Sequence, residues 1–215
     1  MYNPPHFRME DRDQQHAFMD AHPLAQLVTE TDSGIAANAV PLLYRPSPEG
    51  PDTLRGHLAR ANSQWRDSRF DRPALAIFQG PHAYVSPSWY AEKAATGRVV
   101  PTWNYSVLHV YGRLAIHDDV AWLRAFLTEL TARHESGRNP PWAITDAPAD
   151  YIERQLKGIV GFEMTIERIE AKAKLSQNRN EADRSGVVTG LRKEVDPLAQ
   201  ATGEQVAETL ERPRG

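Results

Sequence analysis

Val99–Gly112, VVPTWNYSVLHVYG, is the stretch that most restricts what this chain can fold into. From Pro101 onward it alternates. Trp103, Tyr105, Val107, His109 and Tyr111 share one face, and Thr102, Asn104, Ser106, Leu108 and Val110 share the other. A period of two, rich in aromatic and β-branched side chains, reads as a strand. Pro101 stands at its entrance, where no ladder donor is lost inside the strand. The rings alternate with Thr, Asn and Ser and not with a charged surface. Such a strand is expected to be dry on one side and to line a polar pocket on the other.

The flanking segments set the class. Asp11 or Asp13 can cap a short helix that must end before Pro23. Leu24–Thr31 and Ile35–Tyr44 read as two strands joined at Gly34, and Thr53–Leu58 as a third, leading into a helix-compatible Ala59–Arg69. Ala74–Gln79 and His82–Ser86 read as a strand pair turning at Gly80-Pro81, and Val160–Glu167 as a strand with one dry face. Val120, Leu123, Phe126, Leu127 and Leu130 recur at helical spacing, with Asp118 or Asp119 as the cap. A second helix starts near Asp146, with Pro148 at an early position, and ends at Gly158. Strands at short spacing with hairpin turns predict a mainly β, α+β chain built on an antiparallel barrel or sandwich. Residues 1–190 are expected to form one domain, followed by a polar tail, 191–215, either partly helical or disordered.

Composition removes several classes of function. The 215 residues carry a net charge of −3, which leaves no electrostatic footprint for non-specific binding to nucleic acid or anionic membrane. There is no cysteine, so disulfides, thiolate metal sites and a Cys nucleophile are excluded. No apolar run approaches the ~18 residues of a membrane span, and the expected location is the cytoplasm. The glycine patterns of Rossmann and P-loop nucleotide sites are absent, as are G-x-S-x-G and H-E-x-x-H. The eight histidines include no helical i, i+4 pair, and no metal site is expected.

Three places carry candidate chemistry. Arg55–Asn62 ends a strand and enters a helix, where backbone N–H groups, His57 and Arg60 could meet an anion. A solvated helix face, with Arg66, Arg69 and Arg72 interleaved with Asp67 and Asp71, has the same composition. Lys172–Arg179 offers phosphate- or carbonyl-reading groups after the last strand, and a basic strand end in water would look alike. Trp103 and Trp89 could stack on a planar ligand or serve as core or interface residues.

Taken together, MYNPPHFR, GHLARAN with Gln64-Trp65, GPHAYVSPSWY, VPTWNYSVLHVYG and GIVGFEMTIERIEAKAKLSQNR resemble the PaiB-like FMN-binding negative transcriptional regulators, from Met1 to about Val188. The chain departs from that pattern at Ser63, where proline is usual. The resemblance implies an FMN-binding split β-barrel with flanking helices, homodimeric, with flavin at the subunit interface. By motif position it assigns His57, Arg60 and Asn62 to the phosphate. It brings Thr102, Trp103 and Asn104 to the ring or the partner subunit, and Lys174, Ser176, Gln177, Asn178 and Arg179 to a segment closing over the site. No helix-turn-helix pattern or basic recognition helix is present, so flavin or redox sensing, or action through a partner, is expected in place of direct DNA contact. The alternative is a flavin-dependent oxidoreductase using a nicotinamide donor, with no catalytic residue assigned and His57, His109 and Tyr105 as candidates. A third reading is a haem-binding split barrel with His109 as axial ligand.

Overall fold

The stretch that reads as a hairpin at Gly80-Pro81 does not turn. In the computed structural model, which describes residues 1–211, Ala74–Val85 is one continuous strand. A Cβ on Gly80 would lie 2.8 Å from the Phe18 ring, so the glycine makes room for a neighbour and not for a bend. The strands are β1 (Leu24–Thr31), β2 (Gly34–Pro41), β3 (Leu43–Arg45), β4 (Thr53–Ala59), β5 (Ala74–Val85), β6 (Thr102–His117) and β7 (Ile159–Lys174). They form a seven-stranded antiparallel sheet in the order β2-β1-β5-β6-β7-β4-β3. The β1–β2 hairpin is paired from Leu24↔Pro41 to Thr31↔Gly34, and Gly34 takes a φ of 125° at the turn.

The helices are α1 (Arg12–Ala21), α2 (Gln64–Asp67), α3 (Ala91–Thr96), α4 (Val120–Glu135), α5 (Ala149–Leu156), α6 (Glu181–Leu191) and α7 (Pro197–Glu211). Of the expected Ala59–Arg69 helix only α2 forms. The chain divides into two compact units. One comprises Met1–Phe18, Gln79–Leu108 and the chain from Glu170 onward; the other comprises Met19–Phe78 and His109–Ile169.

In the first unit, the segment expected as a polar tail supplies core. Ala199 and Val206 of α7 are buried with Val187, Val188 and Leu191 of α6, and with Val85, Tyr90 and Leu175. The boundary expected near residue 190 falls inside this cluster. α6 has no strong sequence signal because Gly186 and Gly190 look like helix breakers, each costing about 1 kcal/mol against alanine. They form a slot for Trp89. A Cβ on Gly190 would sit 2.2 Å from the indole, and one on Gly186 would sit 2.0 Å from the Trp89 carbonyl oxygen.

In the second unit, α4 covers the β4–β7 ladder, where His57 is opposite Gly161. The Trp122 ring lies so close over Gly161 that a Cβ there would be 2.3 Å from it. Phe126 meets His57 edge-on with centroids 5.9 Å apart, and His117 stacks on Trp122 at 4.2 Å. Asp119 is the cap, accepting from the Trp122 amide at 2.7 Å. Asp118 is used elsewhere, as described below.

Gly190→Ala is expected to destabilise the protein by about 1–3 kcal/mol, the range for overpacking a filled site. Gly137→Ala, where an added Cβ meets nothing within 4 Å, should stay within about 0.5 kcal/mol of the parent. Urea unfolding followed by circular dichroism measures both.

Candidate functional site

The alternation expected for β6 is present, but its faces are used differently. The Asn/Ser face is the dry one: Asn104 is 0% exposed and Ser106 1%. Asn104 Nδ2 donates to Ser176 Oγ at 2.9 Å, and Ser106 Oγ meets Gln205 Oε1 of α7 at 2.9 Å. Burial of these groups is tolerated because each finds a partner. Ser176 adopts a left-handed φ of 64°, the conformation that turns the chain out of β7. The aromatic face is the open one, with Trp103 54% exposed and Tyr105 half-buried.

β7 continues through Lys174, so Lys172 and Lys174 are strand residues two apart on one face and not part of a following loop. Lys172 is buried. Its Nζ donates to the Tyr2 carbonyl at 3.1 Å and stands 5.5, 5.9 and 5.2 Å from the ring centroids of Tyr2, Phe7 and Tyr105. Lys174 Nζ donates to Thr102 Oγ1 and to the Trp103 carbonyl, both at 2.5 Å. Burial, and next the charge of Lys172, hold the Lys174 ammonium below the ordinary lysine pKa. Among the described residues neither lysine has a carboxylate partner. Together with Pro4, His6, Phe7 and Trp103 they line a cavity of about 530 Å³. The first residues of the chain are tied to its wall: Asn3 Nδ2 donates to the Ala171 carbonyl at 2.9 Å, and the Met9 amide to the same oxygen at 3.1 Å. Trp103 also borders a second cavity of about 430 Å³, with Tyr84, Trp89, Glu194 and Asp196.

The structure thus brings Thr102, Trp103, Asn104, Lys174 and Ser176 together with Tyr105, expected only as a candidate catalytic group, and Lys172, expected only as part of the Lys172–Arg179 segment, and adds Tyr2 and Phe7, which sequence reasoning missed. Carrying the alternation of Val160–Glu167 on through Lys174 would have placed both lysines on one strand face. Gln177 turns back on its own backbone, accepting from the Leu175 amide at 2.7 Å and donating to the Ala173 carbonyl at 2.6 Å. The Arg179 guanidinium covers the Tyr90 ring at 4.6 Å, and Asn178 is exposed.

His57, Arg60 and Asn62 belong to the second unit. Arg60 donates to the Lys157 carbonyl at 2.8 Å, the Ile159 carbonyl at 3.0 Å and both oxygens of Asp118. That engages four of its five N–H groups. The hydrogen bond from Arg60 holds the Asp118 carboxyl below its usual range. Asn62 Oδ1 accepts from the Gln64 amide at 3.0 Å. His57 Nδ1 is buried without a hydrogen-bond partner, and burial lowers the pKa of the ring. His109 lies edge-on to Tyr111 at 6.3 Å.

Comparison with known proteins decides the family. Residues 1–168 match the family described as "Putative FMN-binding domain". The chain belongs to that family. FMN is the cofactor that membership gives it. The chain is 34% identical over 214 residues, 99% of each chain, to the protease synthase and sporulation protein PAI 2 of Bacillus subtilis. Two solved structures share the fold. The flavocytochrome Anf3 of Azotobacter vinelandii aligns with a TM-score of 0.59 at 14% identity, over 83% of this chain and 75% of that one. An FAD- and haem-binding protein of Mycobacterium smegmatis gives 0.54 at 17%, over 78% and 73%. The fold of this FMN-binding-domain protein is therefore an antiparallel split barrel. The lysine cavity of the first unit fits the cofactor's chemistry: two cations without carboxylate partners suit a phosphomonoester carrying about two negative charges, and flat rings suit isoalloxazine. Lys172 and Lys174 lie beyond the residues that the family match covers.

The depressed pKa of His57 has a pH consequence. The unfolded chain takes up a proton near 6.5 that the folded chain resists, so this contribution is full above about 6.5 and is lost as pH falls below it. His57→Gln should flatten the fall in urea midpoint between about pH 7.5 and 5.5 relative to the parent.

Proposed function

We propose that this protein is a flavin-sensing negative regulator of transcription of the PaiB type, a cytoplasmic homodimer that binds FMN and acts through a partner. The observation that carries the proposal is the Lys172–Lys174 cavity. Lys174, oriented by Thr102 and the Trp103 carbonyl, and Lys172, held among three rings, would receive the FMN phosphate or ring carbonyls. Trp103 and Tyr105 would offer a flat wall to the ring. Asn104 and Ser176 act behind them by fixing β6 against the end of β7. When bound, the flavin supplies a redox-responsive centre, and the chain's own residues hold it and shield it from water.

Three observations support the regulatory half. The helix pair α6–α7 has no basic face for an operator: α7 carries Glu204, Glu208 and Glu211 and no Lys or Arg, and Arg184 of α6 is buried, donating to Thr209. The name of the Bacillus subtilis relative ties that protein to protease synthesis and sporulation, not to a substrate or a reaction. Exposed Tyr2, Tyr84, Val100 and Trp103 in the first unit favour a second copy as the covering surface. No helix of the described residues is long and apolar enough to cross a membrane.

Titration with FMN should show saturable quenching of flavin fluorescence. Lys174→Met should weaken it about tenfold or more, the loss of one charge-assisted bond of about 1–3 kcal/mol. Affinity should decline at alkaline pH sooner than an ordinary lysine would dictate, because Lys174 is charged only below its lowered pKa; the decline should be absent in Lys174→Met. Light scattering should give a dimer. Gel shifts with the purified protein should show no salt-sensitive, sequence-specific DNA complex. Steady nicotinamide oxidation by the loaded protein would move the reading to an oxidoreductase.

A further inference from the structure

The second unit contains a cavity of about 240 Å³ that the flavin reading does not use. Leu127 of α4, Ile152 and Leu156 of α5, Ile144 and Ile159 make it apolar, with Trp142 at its edge. Two polar groups in the lining are unmatched. His57 Nδ1 is buried with no hydrogen-bond partner. The half-buried Arg124 guanidinium makes no ion pair or hydrogen bond among the described residues. The remaining polar lining, Thr131 and Gln155, is neutral, so the wall holds a cation and no anion.

From this pairing we infer that the cavity is a binding site for a small monocarboxylate with a single aromatic ring, distinct from the flavin site. One negative charge on the ligand matches the lining. A lone guanidinium can balance a monoanion, whereas a phosphate dianion would carry an uncompensated charge into an apolar wall. Arg124 supplies the charge, and the His57 ring, which burial keeps towards its neutral form, adds no second cation to the wall. The volume of the cavity limits the body of the ligand. At about 30 Å³ per water the cavity equals about eight waters, the scale of one ring and a short acid chain. Five aliphatic walls and an indole favour a ring over a polar chain. Because the lining comes from β4, α4, α5 and the start of β7, occupancy would brace α4 and α5 together against the sheet.

The test uses phenylacetate as probe and phenylacetamide as its neutral counterpart, titrated calorimetrically into the full-length protein. The parent should bind phenylacetate saturably and at least about tenfold tighter than the amide, the factor that one charge-assisted bond gives. Arg124→Gln should erase that preference. Ile152→Trp, which fills the cavity, should abolish binding of both compounds while leaving FMN affinity unchanged. If the filled variant does not fold, backbone amide shifts of the parent on adding phenylacetate decide the matter, and they should cluster on α4, α5 and Trp142–Ile144. No saturable binding below about 10 mM, a preference that survives Arg124→Gln, or shifts centred elsewhere would each overturn the inference.

Discussion

The first unit depends on a hydrogen bond made where water cannot reach. Asn104 lies wholly inside, and its amide reaches Ser176 at the point where β7 ends and the chain turns left-handed towards α6. An unsatisfied amide at that depth would cost on the order of 1–3 kcal/mol. The bond therefore selects one position for the end of β7 relative to β6. Ser106 extends the same logic to α7 through Gln205. A strand face that looks suited to a wet pocket works as a polar seam between three elements, and the face with Trp103 and Tyr105 is the open one.

That other face gains its character from how its cations are held. Lys172 is stabilised by a backbone carbonyl and the faces of three rings, and Lys174 by a hydroxyl and another carbonyl. These partners are dipoles and quadrupoles that leave the positive charge intact. A carboxylate in the same place would have neutralised it. In the second unit the opposite choice is made for Arg60, which is spent on Asp118 and on two carbonyls at the β7 entrance. Two basic segments of similar composition thus have different partners: one keeps its cations among dipoles and rings, and the other pins a strand.

What was legible in the sequence was local. The period of β6, the Asp119-capped stripe of α4 and the Gly34 hairpin are each decided within a few residues, and each is where it was expected. What was not legible depends on neighbours far along the chain. Gly80-Pro81 has turn chemistry, but Phe18 packs on the glycine and the strand runs through. Gly186 and Gly190 weaken α6 on paper and make its packing possible. Of the expected site, Thr102, Trp103, Asn104, Lys174 and Ser176 converge because β6 and the end of β7 are neighbours. Tyr2 and Phe7 could not be foreseen there, since Tyr2 meets Lys172 across a separation of 170 residues. The resemblance gave the family, which the family match bears out, but not the side-chain partners that each motif finds in the fold.

The discontinuity of the first unit also bears on the order in which a ribosome can build this protein. Every segment of the second unit has been made once residue 169 has emerged. The first unit at that moment holds its opening residues, the second half of β5, α3 and the first half of β6, but neither lysine, nor Ser176, nor the helices that bury Val85 and Tyr90. Its apolar surface must wait for the chain from Glu170 onward, while domains commonly fold as they appear. The nascent chain would therefore carry a finished unit and an open one at the same time, and the cavity lined by Lys172 and Lys174 would form only after the second unit is complete.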